Sequence, residues 1–251
     1  MLLDLEFYLF AVPAVIFAGM SKGGFGSAAA FAATPFLALI LTPGQAVGLM
    51  LPLLMVMDVT ALRMFWRKWD TRIALVLIAG AVPGILFGTL LYGMADPRVF
   101  KALIGAVALG FVGWQLARAR GWIRPARRAL GRGAGIFWGA VTGFTSFISH
   151  AGGPPAAVYM LSQKMDKTTY QATSVLVFWA VNLMKVVPYS FVGIFSRESL
   201  VADLTLVPAA VVGVLAGAWL HHRIPERAFF ALAYVFLVIT GTKLIFDALT
   251  G

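Results

Sequence analysis

GIFWGAVTGFTSFISHAGGPPAAVYML (residues 135–161) is an apolar run broken at its centre by SHAGGPP, residues 149–155. A histidine, two glycines and two prolines in close succession end almost any helix. In lipid each unpaired backbone group costs several kcal/mol, so broken backbone persists only where protein or a water-filled cavity surrounds it. Whether the flanks of this break lie in lipid therefore decides the fold, and what surrounds the break decides the function.

Composition places the flanks in lipid. The 251 residues are 61% hydrophobic and 12% charged, and mean hydropathy is +0.89. A soluble domain carries about 25% charged residues. Apolar runs recur along the whole chain, and no hydrophilic block is large enough for a second domain. The sequence predicts an all-α polytopic membrane protein with a single transmembrane domain over residues 1–251. The opening MLLDLEFYLFAV has two acids and no base, unlike a signal peptide, so the first run is expected to be retained. With no cysteine, disulfides and thiolate chemistry are excluded.

Ten apolar segments are predicted, near 5–20, 25–42, 44–62, 73–94 and 97–117, then 134–149, 154–164, 170–194, 200–220 and 226–247. A spanning helix needs about 20 residues, so 25–42 and 154–164 are short, and eight to ten spans are expected. The two sets resemble each other. VPGILFGTLL (82–91) precedes VVGVLAGAWL (211–220) by 129 residues with both glycines in register, and RVFKAL (98–103) matches RAFFAL (227–232) at the same offset. QAVGLMLP (45–52) matches QATSVLVF (171–178) at an offset of 126. Repeats 5–117 and 134–247 are thus joined by a basic linker, 118–132.

Charge orients the repeats. RMFWRKWDTR (63–72) and ARARGWIRPARRALGR (117–132) hold ten of the twenty basic residues, which predicts both loops to be cytoplasmic. This loop enrichment, rather than nucleic-acid binding, accounts for the net charge of +10. Strict alternation then puts Lys22, Lys164, Lys167 and HHRIPER (221–227) inside as well. Asp4, Glu6, Asp96, Glu198, Asp203 and Asp247 fall outside, with both termini. Five segments per half place the halves in opposite orientations, the inverted repeat of many secondary transporters. The expected location is a bacterial cytoplasmic membrane.

The repeat sets SHAGGPP against SKGGFG (21–26), and each break follows the first segment of its half. Paired, glycine- or proline-interrupted segments are the best sequence pointer to a transporter binding site. Helices starting at Gly24 and Gly153 would aim free N–H groups at an anion. Gly23 and Gly152 let a ligand approach the backbone, and Pro154 or Pro155 suits a first helical turn. Lys22 and His150 hold nearly equivalent places, and Ser21, Ser27, Ser146 and Ser149 add hydroxyls.

In this combination the chain resembles the TauE/SafE family, the sulfite exporter or toluene-sulfonate uptake permease superfamily. The residues that carry the resemblance are SKGGFGSAAAFAATPFLAL (21–39), SHAGGPPAAVYML (149–161) and the VPGILFG and VVGVLAG helices. Its first break carries Lys22 where many members have a fuller glycine run. The resemblance implies a transporter of sulfite, sulfonates or related sulfur anions, not an enzyme, with no cofactor and no metal.

Asp58 and Lys185 lie deep in apolar segments at an offset of 127. Charge at a helix centre costs at least about 2.5–3.5 kcal/mol, so such residues face the bundle interior and pair. An Asp58–Lys185 ion pair at the repeat interface is predicted, with Asp58 as a proton carrier and Lys185 as an anion contact. Asn182 lies one turn before Lys185, followed upstream by Ser174, Thr173 and Gln171, of which Thr173 reads best as helix-to-helix hydrogen bonding. His221 and His222 suit an interface, as do Trp66, Trp69, Trp122 and Tyr92.

The expected site thus comprises Ser21, Lys22, Gly23, Gly24, Ser149, His150, Gly152, Gly153, Asn182 and Lys185, with Asp58 for ion pairing or coupling. The predicted activity is secondary transport, as an exporter, of sulfite, thiosulfate or organosulfonates by alternating access. Proton coupling through His150 or Asp58 is open to it. An anion channel of the same architecture is the alternative, and an intramembrane hydrolase a weaker one, since no GxSxG or HExxH is present. Expected partners are the anion and membrane lipid, with a homodimer allowed.

Overall fold

The computed structural model describes residues 4–25, 29–123, 128–220, 223 and 226–250. Among them there is no strand. The helices are α1 (Leu5–Met20), α2 (Ala33–Leu37), α3 (Pro43–Met64), α4 (Thr71–Met94), α5 (Pro97–Ala119), α6 (Arg132–Ser149), α7 (Gly153–Ser162), α8 (Lys167–Phe191), α9 (Arg197–Leu220) and α10 (Glu226–Thr250). A π-helical turn, Ser21–Phe25, extends α1, and a 3₁₀ turn, Ala30–Ala32, leads into α2. The expected segment 25–42 is therefore not one helix. It is divided, and α2 is only five residues long.

Sequence-local chemistry fixes most helix starts. Asp4, Asp70, Asp96 and Asp166 each accept backbone N–H bonds in the first turn of α1, α4, α5 and α8. Thr42 and Gln45 form a reciprocal capping box on α3, with Pro43 at its start. Among the described residues seven helices, including α1 with its π-turn and all of α3, α4, α5, α8 and α9, are long and apolar enough to cross a membrane. Their outer faces carry exposed Leu86, Phe87, Leu90, Leu204, Leu215 and Ile239. The chain is an all-α polytopic membrane protein.

Glycines set the packing. On α4, Gly80 lies against Ile136 and Gly139 of α6, Gly84 against Ala140, and Gly88 against the Phe147 ring, so the two helices run parallel. On α9, Gly213 lies against Ile16 of α1 and Gly217 against Met20, again in parallel. In each case a Cβ would meet the neighbouring chain, which is why small residues recur here. The halves thus exchange partners: the fourth helix of each packs on the first helix of the other. Corresponding helices run antiparallel where they meet. Gly105 of α5 faces Gly241 of α10 while Gln115 bonds Tyr234. On α3 and α8, Asp58 meets Asn182, and Asp70, just beyond α3, meets Thr173.

Candidate functional site

Four pieces of chain converge in the bundle centre: the π-turn, the middle of α3, the C-terminal end of α6 and the middle of α8. A π-turn widens the helix by one residue and re-aims its side chains. Here it turns Lys22 inward, where it is 4% exposed. Gly23 permits this because its α-carbon lies against the backbone of Val214 in α9, leaving no room for a side chain.

Lys22 pairs with Asp58 of α3, and its ammonium also lies 3.5 Å from the Leu54 carbonyl oxygen. Asp58 is fully buried, and its second oxygen accepts from Asn182 Nδ2 at 2.7 Å. The ion pair therefore differs from the expected one. Asp58 takes Lys22, because Asn182 occupies the α8 face nearest it and Lys185, three residues on, is turned toward α6.

Lys185 Nζ donates to the Ser146 carbonyl and hydroxyl oxygens, both at 3.0 Å, and lies 2.8 Å from His150 Nδ1. His150 Nε2 is 2.9 Å from the Val47 carbonyl oxygen of α3. A carbonyl only accepts, so Nε2 carries the hydrogen, and the Nδ1 lone pair faces the Lys185 ammonium. The imidazole is thus neutral, and the tautomer is fixed by α3. His150 holds this place through a left-handed backbone, φ 57°, which ends α6. Tyr189, one turn beyond Lys185, donates to the Phe147 carbonyl at 2.6 Å, and its ring lies 5.8 Å from Nζ.

The other expected residues fall around these. Ser21 and Ser149 are buried, and the Ser149 hydroxyl donates to the Thr145 carbonyl at 3.5 Å. Gly152 is buried among Thr142, Ser146 and Phe178. Gly153 begins α7 with Pro154 and Pro155 behind it, as expected. Gly24 does not begin a helix. It lies within the π-turn that continues α1, since no proline follows to interrupt the helix. Ser174 is buried and Gln171 half-buried on α8. Thr173 accepts the Asp70 amide at 2.9 Å, tying α8 to the cap of α4. Ser27, His221 and His222 lie outside the described residues.

One residue escaped sequence reasoning. Asp203, expected within segment 200–220 on the outer side, is 4% exposed on α9, and neither carboxylate oxygen has a hydrogen-bond partner. Its flanks, SLVADLTLVP, are apolar on both sides and carry the signal. Among the described residues no His, Cys, Asp or Glu cluster could hold a metal.

The centre therefore brings together two lysines, one aspartate and an imidazole, all buried, with a formal charge of +1 when both lysines and the aspartate are ionised. A buried uncompensated cation favours an anion beside it. Against protein-family models, residues 11–244 match the one described as sulfite exporter TauE/SafE. No curated protein and no solved structure matches the chain.

Proposed function

The chain belongs to the sulfite exporter TauE/SafE family, and on that premise we propose that it is a secondary transporter of sulfite, thiosulfate or small organosulfonates working by alternating access. Membership supports a membrane transporter of sulfur anions in general. The buried +1 centre carries the finer reading, because it lies between the halves and its charge is balanced only when an anion enters. Lys185 is the principal contact, with Lys22 the second. Each already spends its donors on Ser146 or Asp58, so the anion competes with protein acceptors and binding is coupled to rearrangement. Ser21, Ser149 and the backbone at Gly23, Gly24, Gly152 and Gly153 complete the expected shell.

Two inverted repeats, 5–117 and 134–247, give the motion. Antiparallel contact between corresponding helices and the exchanged pairing of α1 with α9 and α4 with α6 support that symmetry. The basic linker 118–132 faces the cytoplasm of a bacterial cell, with both termini on the far side. Asp58 and His150 are the groups through which proton movement could be linked to export.

Counterflow of labelled sulfite in proteoliposomes tests this. The wild type is expected to show saturable exchange, and Lys185→Met and His150→Ala to lose most of it. Non-saturable flux without counterflow identifies a channel instead. Exchange that both variants leave untouched removes the anion from this centre.

A further inference from the structure

The buried centre has an anteroom. A cavity of about 730 Å³ opens where α3 and α5 begin and α4 and α10 end, lined by Thr42, Gly44, Tyr92, Arg98, Lys101 and Asp247 among others. It stands directly over the centre along two independent paths. On α3, Gly44 lines the cavity and Val47, which accepts from His150, is three residues deeper, about 4.5 Å along a helix axis. Through side chains, Tyr92 lines the cavity with its ring centroid 6.4 Å from that of Phe147. Phe147 meets Tyr189 edge-on at 4.9 Å, and Tyr189 lies over Lys185. The partition between cavity and centre is thus thin. Tyr92 is packed against Gly44, whose Cβ would overlap its hydroxyl, and Phe147 is packed against Gly88.

The lining is cationic where it counts. Asp96 turns away to cap α5, accepting the Arg98 amide at 2.7 Å. Asp247 is engaged by Lys243 at 2.6 Å. Arg98 and Lys101 form no ion pair among the described residues. At the repeat-related corner on the opposite face, the linker is tied down: the Leu130 amide donates to Ser162 Oγ at 3.2 Å, and Gln163 Nε2 donates to the Leu130 carbonyl at 3.1 Å.

We propose that this cavity is the passage between the centre and the non-cytoplasmic side, with Arg98 and Lys101 attracting the sulfur oxyanion at its mouth and Tyr92 and Phe147 forming the gate. The proposal rests on the transporter reading, and its test keeps the two apart.

The absence of cysteine makes the test direct. Lys101→Cys is expected to raise the sulfite KM for exchange about three- to ten-fold with the maximal rate unchanged, since steering acts on encounter. Alkylation with bromoethylamine restores a lysine-like cation and the wild-type KM, whereas iodoacetate, adding a negative charge, raises KM further. Equal KM values for all three forms overturn the collecting role. So does a KM shift that vanishes when phosphatidylglycerol in the vesicles is replaced by zwitterionic phosphatidylcholine, which assigns the cation to the anionic membrane surface. For the gate, Ser146→Cys alone and with Tyr92→Leu are alkylated with iodoacetamide, with Lys101→Cys as the accessible control. Faster reaction of the Ser146→Cys thiol in the Tyr92→Leu background is expected. An unchanged rate for that thiol overturns the gate, and because labelling needs no transport, it does so independently of whether sulfite is exchanged.

Discussion

The two breaks, SKGGFG (21–26) and SHAGGPP (149–155), align in sequence and meet the same problem differently. At Ser21–Phe25 the chain stays helical, merely widened, and delivers a lysine from the break itself to Asp58. At His150 the helix stops in a left-handed turn and restarts at Gly153, and the cation comes from α8 instead. Proline explains the divergence. Pro154 and Pro155 lack the N–H that would prolong α6, whereas GGF leaves the donors of the π-turn intact. A common scaffold position can therefore carry a fixed ion pair on one side and a neutral, hydrogen-bonded imidazole beside a lysine on the other.

The ion pair is where that contrast should be sharpest. Asp58→Asn leaves Lys22 buried and uncompensated and is expected to cost about 3–5 kcal/mol. Adding Lys22→Met should recover most of that loss, while adding Lys185→Met should recover much less. Denaturation of the purified variants in detergent reads both, and equal rescue by the two second mutations would erase the distinction between the breaks. The glycines give the next largest effect. Gly23→Ala drives a methyl group into the Val214 backbone, which cannot give way, for about 1–3 kcal/mol. Gly152→Ala meets only the side chains of Phe178, Ser146 and Thr142, each 3.1 Å from the new carbon, and should cost less. Thermal shifts in the reverse order would mean that the first break is the looser one.

The smallest effects lie at the helices that feed the breaks. Thr42 caps α3, which carries Asp58, and Asp166 caps α8, which carries Lys185. Thr42→Ala should cost about 1 kcal/mol at any pH. The Thr169 hydroxyl and amide, with the Thr168 amide, hold the Asp166 carboxyl below its ordinary range. Its stabilising contribution is then full above that range and is lost as pH falls through the lowered value. The melting difference between wild type and Asp166→Ala should shrink in acid, while that for Thr42→Ala should not.

Helices were legible because their starts are written locally, as Asp70, Asp96, Asp166 and the Thr42–Gln45 box, and because lipid demands long apolar runs. The positions of the breaks were legible from glycine and proline. The convergence of Lys22, Asp58, Asn182, Lys185 and His150 was anticipated in membership. The pairing within it was not, because reach depends on the rotation of α8 and on the π-turn, neither of which has a periodic signature. Repeat equivalence suggested Asp58 with Lys185, but symmetry-related positions need not touch. The burial of Asp203 was not legible for a simpler reason: whether a charge near a helix start is covered depends on the packing of α9.

The exchange of α1 and α4 between halves has a consequence for how the protein is made. Within its own half α1 meets α2 and α3, as where Phe10 lies against Phe36, but the face that carries Ile16, Gly19 and Met20 is covered only when α9 follows it into the bilayer. Each half depends on the other to cover its glycine faces, α4 on α6 and α9 on α1. Severed at the linker and produced as two polypeptides, the halves should remain open until they meet, and then clasp as the unbroken chain does.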